Sequence, residues 1–586
     1  MPSPRKVSRG KEQPLQVYNR GDSWCLEDRT SDGFQSHQEL SNWDVKLLQP
    51  LLKNGALRLA QHNLSSGVIY YSDFSGYDAP RECLRVLRDV LQRMQPDQEP
   101  FPFHCVRACD VGRVQQDVLL QQSESLDANS SCVFANLQDR LPLWAAEWIH
   151  AVVPAGTSSL EAAAKANKDI LEFLLENRCS ILDATTKCHC LVHDRPCPVY
   201  PRLLACQEHS EGSVSEQREQ SVRSQTLGAA WWEDPPWTRK PLAMTAAGLV
   251  CTDYSVLGKQ RRGAGVNEWA HHLWHVDRLR AAELGAESCF FSECAALYPV
   301  EQKQAEAMAV THHVVFVRCS PHDLGFPVRR RRTFSAGLCR EEFVWCGPTD
   351  PSDVQELWDT LFKTSCVLTG DAFLAASESE VQAWMEARLK SRKHQMPPGC
   401  EACSVESLLG LIVAPGAVAR KRKYDALRED RMALDGTYLC DLDHNPGFGP
   451  LAGPLFPAMD THPNIFSYRK ERLALPLECF AAQGLDMFPS LSGDRGPSPL
   501  KPILASLPDP AAKLLVGNSI HVPSFLCWMV FVLGNCCRRS EITGPPSAFP
   551  QSSTAEDDAT NHDEPSEQVF GSDREQSSRR RAVLRL

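Results

Sequence analysis

The chain has 586 residues, 42% of them hydrophobic and 23% charged, with a formal net charge of -11. This balance excludes a fully disordered or fibrous protein and predicts a folded chain with a large core, arranged as several domains or as one elaborated α/β domain with an inserted module. The acidic total disfavours a nucleic-acid partner over the surface as a whole but not in a local basic groove, for which Arg329–Arg332, Lys390–Lys393 and Arg420–Lys423 are the candidate runs.

Polar residues 1 to 40 and the Ser, Pro, Glu and Asp-rich residues from about 540 onward predict disordered tails. The stretches 207–226 and 392–402 predict long loops or linkers. Between the tails, apolar runs alternate with helical stretches, as in a sheet with crossover helices. Gly67–Tyr71 predicts a strand, Ser72–Asp78 a turn, and Pro80 the first turn of a helix with Leu84, Leu87, Val90 and Leu91 on its inner face. Cys105–Cys109 and Ser131–Ala135 predict two further strands, ending at Asp110 and Asn136. In open α/β sheets the carboxyl ends of the strands form the ligand-binding edge, and a carboxylate after the second strand is placed to hold a ribose hydroxyl.

The 24 cysteines are spread along the chain and no apolar secretory segment precedes them, which predicts reduced thiols in the cytosol or nucleus. Cys179, Cys188, His189, Cys190, His193, Cys197 and Cys206 form a Cys/His-rich stretch, and Cys400 and Cys403 a second pair. Scattered thiols are favoured there over zinc, because only part of a paired-knuckle pattern is visible, so no metal is expected. The longest apolar run, Phe525–Leu533, is too short to cross a bilayer and predicts a buried helix, so no membrane partner is expected.

The segment Ala247–Gly263 reads as an apolar strand that delivers Cys251 into a loop rich in glycine and base, where nearby cations can lower a thiol's pKa and make it a nucleophile. Gly248, Cys251, Ser255, Gly258 and Lys259 together resemble the catalytic motif of the DNA cytosine-5 methyltransferase family, with Val250 and Thr252 in place of its Pro and Gln. Phe290–Cys294 is similar to that family's Glu-Asn-Val block, keeping Glu293 and carrying Cys294 for the Asn. Gly325–Arg332 resembles its arginine block, with Val328 for the Gln and with Arg330 and Arg332 kept. Arg472–Gly484 and Lys513–Ile520 resemble the two blocks that follow its target recognition region, in the family's order.

The resemblance implies a Rossmann-like S-adenosylmethionine-dependent methyltransferase fold with an inserted target recognition domain. A catalytic domain over 41–340 would carry a Cys/His-rich insertion at about 155–240, with recognition over 341–470, the rest of the catalytic domain over 471–538, and tails at 1–40 and 539–586. It assigns the nucleophile to Cys251, protonation or hydrogen bonding at N3 to Glu293, and contact with the base carbonyl or a phosphate to Arg330 and Arg332. S-adenosyl-L-methionine would be held by Phe74, Ser75, Gly76, Asp110, Asn136, Asn518 and Ser519. Asp78 stands where a second glycine is usual. The implied partner is nuclear DNA; RNA, reached by the same chemistry, and a cytoplasmic location are the alternatives. Two other readings compete: a catalytically weakened nucleic-acid-binding protein of the same fold, and an adenine N6 methyltransferase using Asp234-Pro235-Pro236-Trp237.

Overall fold

The computed structural model describes residues 33–127, 130–153, 159–200, 240–250, 253–254, 265, 267–394, 405–428, 437–446 and 452–542. Its centre is a nine-stranded sheet in the order β5-β4-β3-β2-β1-β6-β7-β9-β8. The strands are β1 (Val68–Asp73), β2 (Phe103–Cys109), β3 (Cys132–Phe134), β4 (Lys187–Cys190), β5 (Arg195–Pro198), β6 (Leu242–Gly248), β7 (Cys289–Ala295), β8 (His312–Cys319) and β9 (Arg332–Cys339).

β3, β2, β1, β6 and β7 run parallel, while β9 is antiparallel to both β7 and β8. The chain steps outward from β1 to β2 and β3, then returns past β1 to build the other half from β6. β1 and β6 therefore flank a topological switch point, where open α/β sheets form a crevice at the carboxyl ends of their strands. This is the Rossmann-like α/β fold expected from the sequence.

β1 is buried at all six positions, as a central strand covered on both faces must be. The helix Ala79–Met94 follows it with Pro80 in its first turn and Leu84, Leu87, Val90 and Leu91 buried, the face expected from their spacing. Arg85, on the same helix, pairs with Glu82 at 2.8 Å and Asp89 at 2.9 Å. The expected apolar helix is Val522–Leu533, with every residue buried. Each fully buried Leu, Val or Phe side chain there contributes roughly 1.5–3 kcal/mol. The stretch Asp509–Leu533 is apolar enough in composition to cross a membrane, but 89% of its most apolar window is buried inside the fold.

Beyond β3 the hairpin β4–β5 extends the sheet by antiparallel pairing of Phe134 with Cys190. A second, smaller sheet joins Ala452–Gly453, Leu439–Asp441, Ile465–Ser467 and Arg472–Leu473. It has its own core, in which Leu389, Ile412 and Tyr424 from three helices pack with Phe466.

The boundary expected at residue 40 lies inside packed structure, which corrects it. Phe34 is buried edge-on against Phe326 at 4.9 Å, and Leu40 is buried on the helix His37–Ser41. The burial of Phe34 supplies apolar area that the polar composition of the stretch conceals. The rest of the N-terminal stretch, the C-terminal tail from 543, the loop at 207–226 and the linker beyond residue 394 lie outside the described residues.

Candidate active site

The turn after β1 occupies a strained conformation. Phe74, Gly76 and Asp78 all have left-handed backbones, at φ 50°, 60° and 62°. Only glycine takes that region without cost. Strain of this kind gathers at functional sites. Ser75 ties the turn to β2: its backbone N–H donates to the Cys109 carbonyl at 3.1 Å, and its hydroxyl accepts from the Cys109 N–H at 3.0 Å. Asp110 completes the arrangement. One carboxylate oxygen accepts from the Gly76 N–H at 2.8 Å and the other from the Gly112 N–H at 2.9 Å. Burial pushes the Asp110 carboxyl above its ordinary value, and the backbone donors from Gly112 and Gly76 oppose it.

Asp78, in place of a glycine, accepts a hydrogen bond from the buried Tyr70 hydroxyl at 2.5 Å. Asn136 follows β3, and its side-chain oxygen caps the short turn Leu137–Arg140 by accepting from the Gln138 N–H at 3.1 Å. A small cavity lies at the switch point, lined among others by Phe74, Ser75, Gly248, Asn518 and Ser519.

The other half of the edge comes from β6 and β7. Gly248 at the end of β6 lies opposite Glu293, and the Leu249 N–H donates to the Glu293 carbonyl at 2.9 Å. The strand that leads into Cys251 therefore ends beside Glu293. Cys251, Thr252, Ser255, Gly258 and Lys259 lie outside the described residues, between Val250 and Gly265. Within that interval Tyr254 is buried, its hydroxyl donating to the Glu268 carboxylate at 2.8 Å.

Glu293 is itself buried, with Arg332 Nε 2.8 Å from its Oε1. Arg330 points elsewhere. Its guanidinium donates to the Gly517 carbonyl at 3.3 Å and to the Ser519 carbonyl, and its backbone N–H donates to the Ser320 hydroxyl at 3.0 Å. The sequence reading placed both arginines on substrate. In the fold Arg330 holds the Gly517–Ser519 segment and Arg332 sits on the Glu293 carboxylate, because buried carbonyls and a buried carboxylate demand donors. Gly517 must be glycine, since a Cβ there would lie 1.9 Å from the Asp460 carbonyl oxygen.

Cys294 and Val328, the departures from the resemblance on either side of this cluster, are both buried among apolar residues. Asp234–Trp237 lies outside the described residues.

An ionic cluster beneath the pocket was invisible in the sequence. The Asp73 carboxylate receives Arg107 at 2.7 Å and Arg140, with Arg278 3.7 Å away. Arg140 and Arg278 also share Asp277, and Arg278 reaches Glu287. Burial raises the Asp73 carboxyl, but the guanidiniums of Arg107, Arg140 and Arg278 outweigh it and hold the group well below the usual carboxylate range. The first two partners lie 34 and 67 residues from Asp73, too far for any local pattern to show.

No family model and no curated protein matches the sequence. Among solved structures, the Entamoeba histolytica methyltransferase EhMeth is 10% identical with a TM-score of 0.37, the match covering 79% of this chain and 97% of that one. The S. pombe Dnmt2 methyltransferase is 10% identical with a TM-score of 0.34, covering 80% and 98%. A DNA modification methyltransferase encoded within an E. coli prophage is 10% identical with a TM-score of 0.33, covering 80% and 99%.

Proposed function

We propose that the protein transfers a methyl group from S-adenosyl-L-methionine to C5 of cytosine in DNA through a covalent adduct at Cys251. The observation that carries this reading is convergence. Segments from Phe74 to Ser519 meet at one edge of the sheet: Phe74, Ser75, Gly248, Asn518 and Ser519 line one cavity, Asp110 binds the Gly76 N–H, and Glu293 lies opposite Gly248.

Two features support the methyl donor as ligand. A Cβ on Gly76 would meet only open space, which leaves the backbone of the turn accessible. Asp110 places a carboxylate after the second strand, where a ribose hydroxyl is held in this class of sheet. When bound, the donor supplies an electrophilic methyl group on a sulfonium.

Cytosine C5 is a poor nucleophile until a thiolate adds at C6. Cys251 supplies that thiolate, and Glu293, oriented by Arg332, carries a proton that it donates to N3, neutralising the charge that the addition at C6 pushes there. The C5 proton must then leave to a base so that the bond to Cys251 can break. A target in a duplex has first to be flipped out, at about a few kcal/mol of lost stacking.

The test is methyl transfer from labelled donor to cytosine- and adenine-containing DNA and RNA, repeated with Cys251→Ser. Methylcytosine that disappears in the variant supports the proposal. Donor binding without transfer would favour a binding protein, and methyladenine lost with Asp234→Ala would favour an amino-methyltransferase.

A further inference from the structure

The hairpin β4–β5 carries Cys190, His193 and Cys197 in the spacing Cys-x2-His-x3-Cys, and β3 brings Cys132 beside them. One ligand atom from each of the four residues lies within 4.8 Å of all the others. The His193 Nδ1 stands 3.3 Å from the Cys190 sulfur, 3.5 Å from Cys197 and 3.6 Å from Cys132. We infer that Cys132, Cys190, His193 and Cys197 bind a zinc ion that staples this hairpin to β3.

Geometry favours a metal over packed thiols. Tetrahedral zinc, with bonds of about 2.3 Å to sulfur and about 2.05 Å to nitrogen, places sulfur and nitrogen ligands about 3.6 Å apart. The three observed separations, 3.3, 3.5 and 3.6 Å, lie at or just below that edge. Reduced thiols alone give no reason for three sulfurs to surround a single ring nitrogen, since that nitrogen makes only one hydrogen bond. Three sulfurs cannot all pair as disulfides, and all three cysteines are free.

Four protein ligands leave no open position, so the site is structural rather than catalytic. Binding deprotonates the thiols and adds its free energy to folding. The sequence reading set zinc aside because its knuckle lacked a partner. Cys132, 58 residues before Cys190, supplies the missing ligand through the pairing of β3 with β4. Cys179 is exposed and outside the group, Cys188 is buried outside it, and Cys206 is not among the described residues.

The experiment is metal analysis of the full-length protein purified under reducing conditions from zinc-supplemented culture, together with cobalt(II) reconstitution. About one zinc per chain is expected, and the cobalt form should show thiolate charge transfer with tetrahedral d–d bands. Cys190→Ser/Cys197→Ser should lose the zinc, whereas Cys179→Ser should keep it. Wild-type protein with less than about a tenth of an equivalent of zinc and no cobalt spectrum would overturn the inference. So would a folded double variant that retains its metal. Both wild-type measurements stand even where the variants fail to fold.

Discussion

The guanidinium of Arg330 is hydrogen-bonded to the carbonyl of Gly517, 187 residues further along the chain. The contact closes the switch-point edge of the large sheet. It joins the arginine segment before the smaller sheet to the Gly-Asn-Ser segment after it, so the intervening residues form an excursion that leaves and returns at one place. Arg330 thus holds the loop that lines the switch-point cavity, and under the proposed function it is a positioning residue.

Replacing Arg330 with Ala leaves the carbonyls of Gly517 and Ser519 without their donor. Stability should fall by about 1–3 kcal/mol. The loop that lines the pocket should loosen as well, weakening S-adenosyl-L-methionine binding by about tenfold, or about 1.4 kcal/mol. Calorimetric titration and urea unfolding of the same protein measure both. Unchanged donor affinity would show that the loop is held by other contacts.

Glu293 stands beside the end of β6 and against Arg332. Glu293→Gln keeps the shape but removes the group proposed to assist at N3, so kcat should fall about 10²–10⁴-fold with folding intact. Single-turnover methylation with matched circular dichroism spectra checks this. A fall below tenfold would remove Glu293 from the chemistry.

The buried cluster around Asp73 makes a stability prediction of a different kind. Asp73→Asn leaves Arg107, Arg140 and Arg278 short of a buried counter-charge. Breaking one partner of a buried ion network costs about 3–5 kcal/mol. Chemical denaturation should show a loss of that size, whereas an exposed pair such as Lys165 with Asp169 should show almost none when broken.

Several histidines depressed by burial, among them the buried His272 and the half-buried His313, set a pH dependence. Burial, with Lys303 adding to it, lowers His272 to about 3, and burial with Arg340 lowers His313 to about 4. The ordinary value of both is 6.5. The unfolded chain therefore binds more protons than the folded one between those limits. Stability is full above about pH 6.5 and falls as pH drops toward 4. Urea midpoints across that range should decline, and His313→Phe, which keeps the stacking on Trp345 at 5.9 Å, should flatten the slope. A slope unchanged by that substitution would assign the effect elsewhere.

The features legible in the sequence were those with a local signature. The strands ending at Asp73, Cys109 and Phe134, the helix behind Pro80 and the apolar helix Val522–Leu533 all announce themselves by period, proline or unbroken apolarity. Long-range electrostatics left no such mark. The helix Glu268–Glu283 buries His271, His272, His275, Asp277 and Arg278 alongside its apolar residues, so it shows no polar face. Motif resemblance identified Arg330 and Arg332 by residue type, but their targets depend on Gly517, Ser519 and Glu293, which only the fold brings near. Cys132 was missed for the same reason, since its partners reach it through strand pairing.

The most direct test of the central claim is covalent trapping on DNA containing 5-fluorocytosine in the presence of S-adenosyl-L-methionine. Fluorine at C5 blocks the elimination that would free the enzyme, so a thiolate that has added at C6 stays attached. The expected result is a denaturation-resistant protein–DNA adduct that maps by mass spectrometry to Cys251 and is absent from Cys251→Ser. Methylation of cytosine with no adduct, or an adduct at another residue, would contradict it.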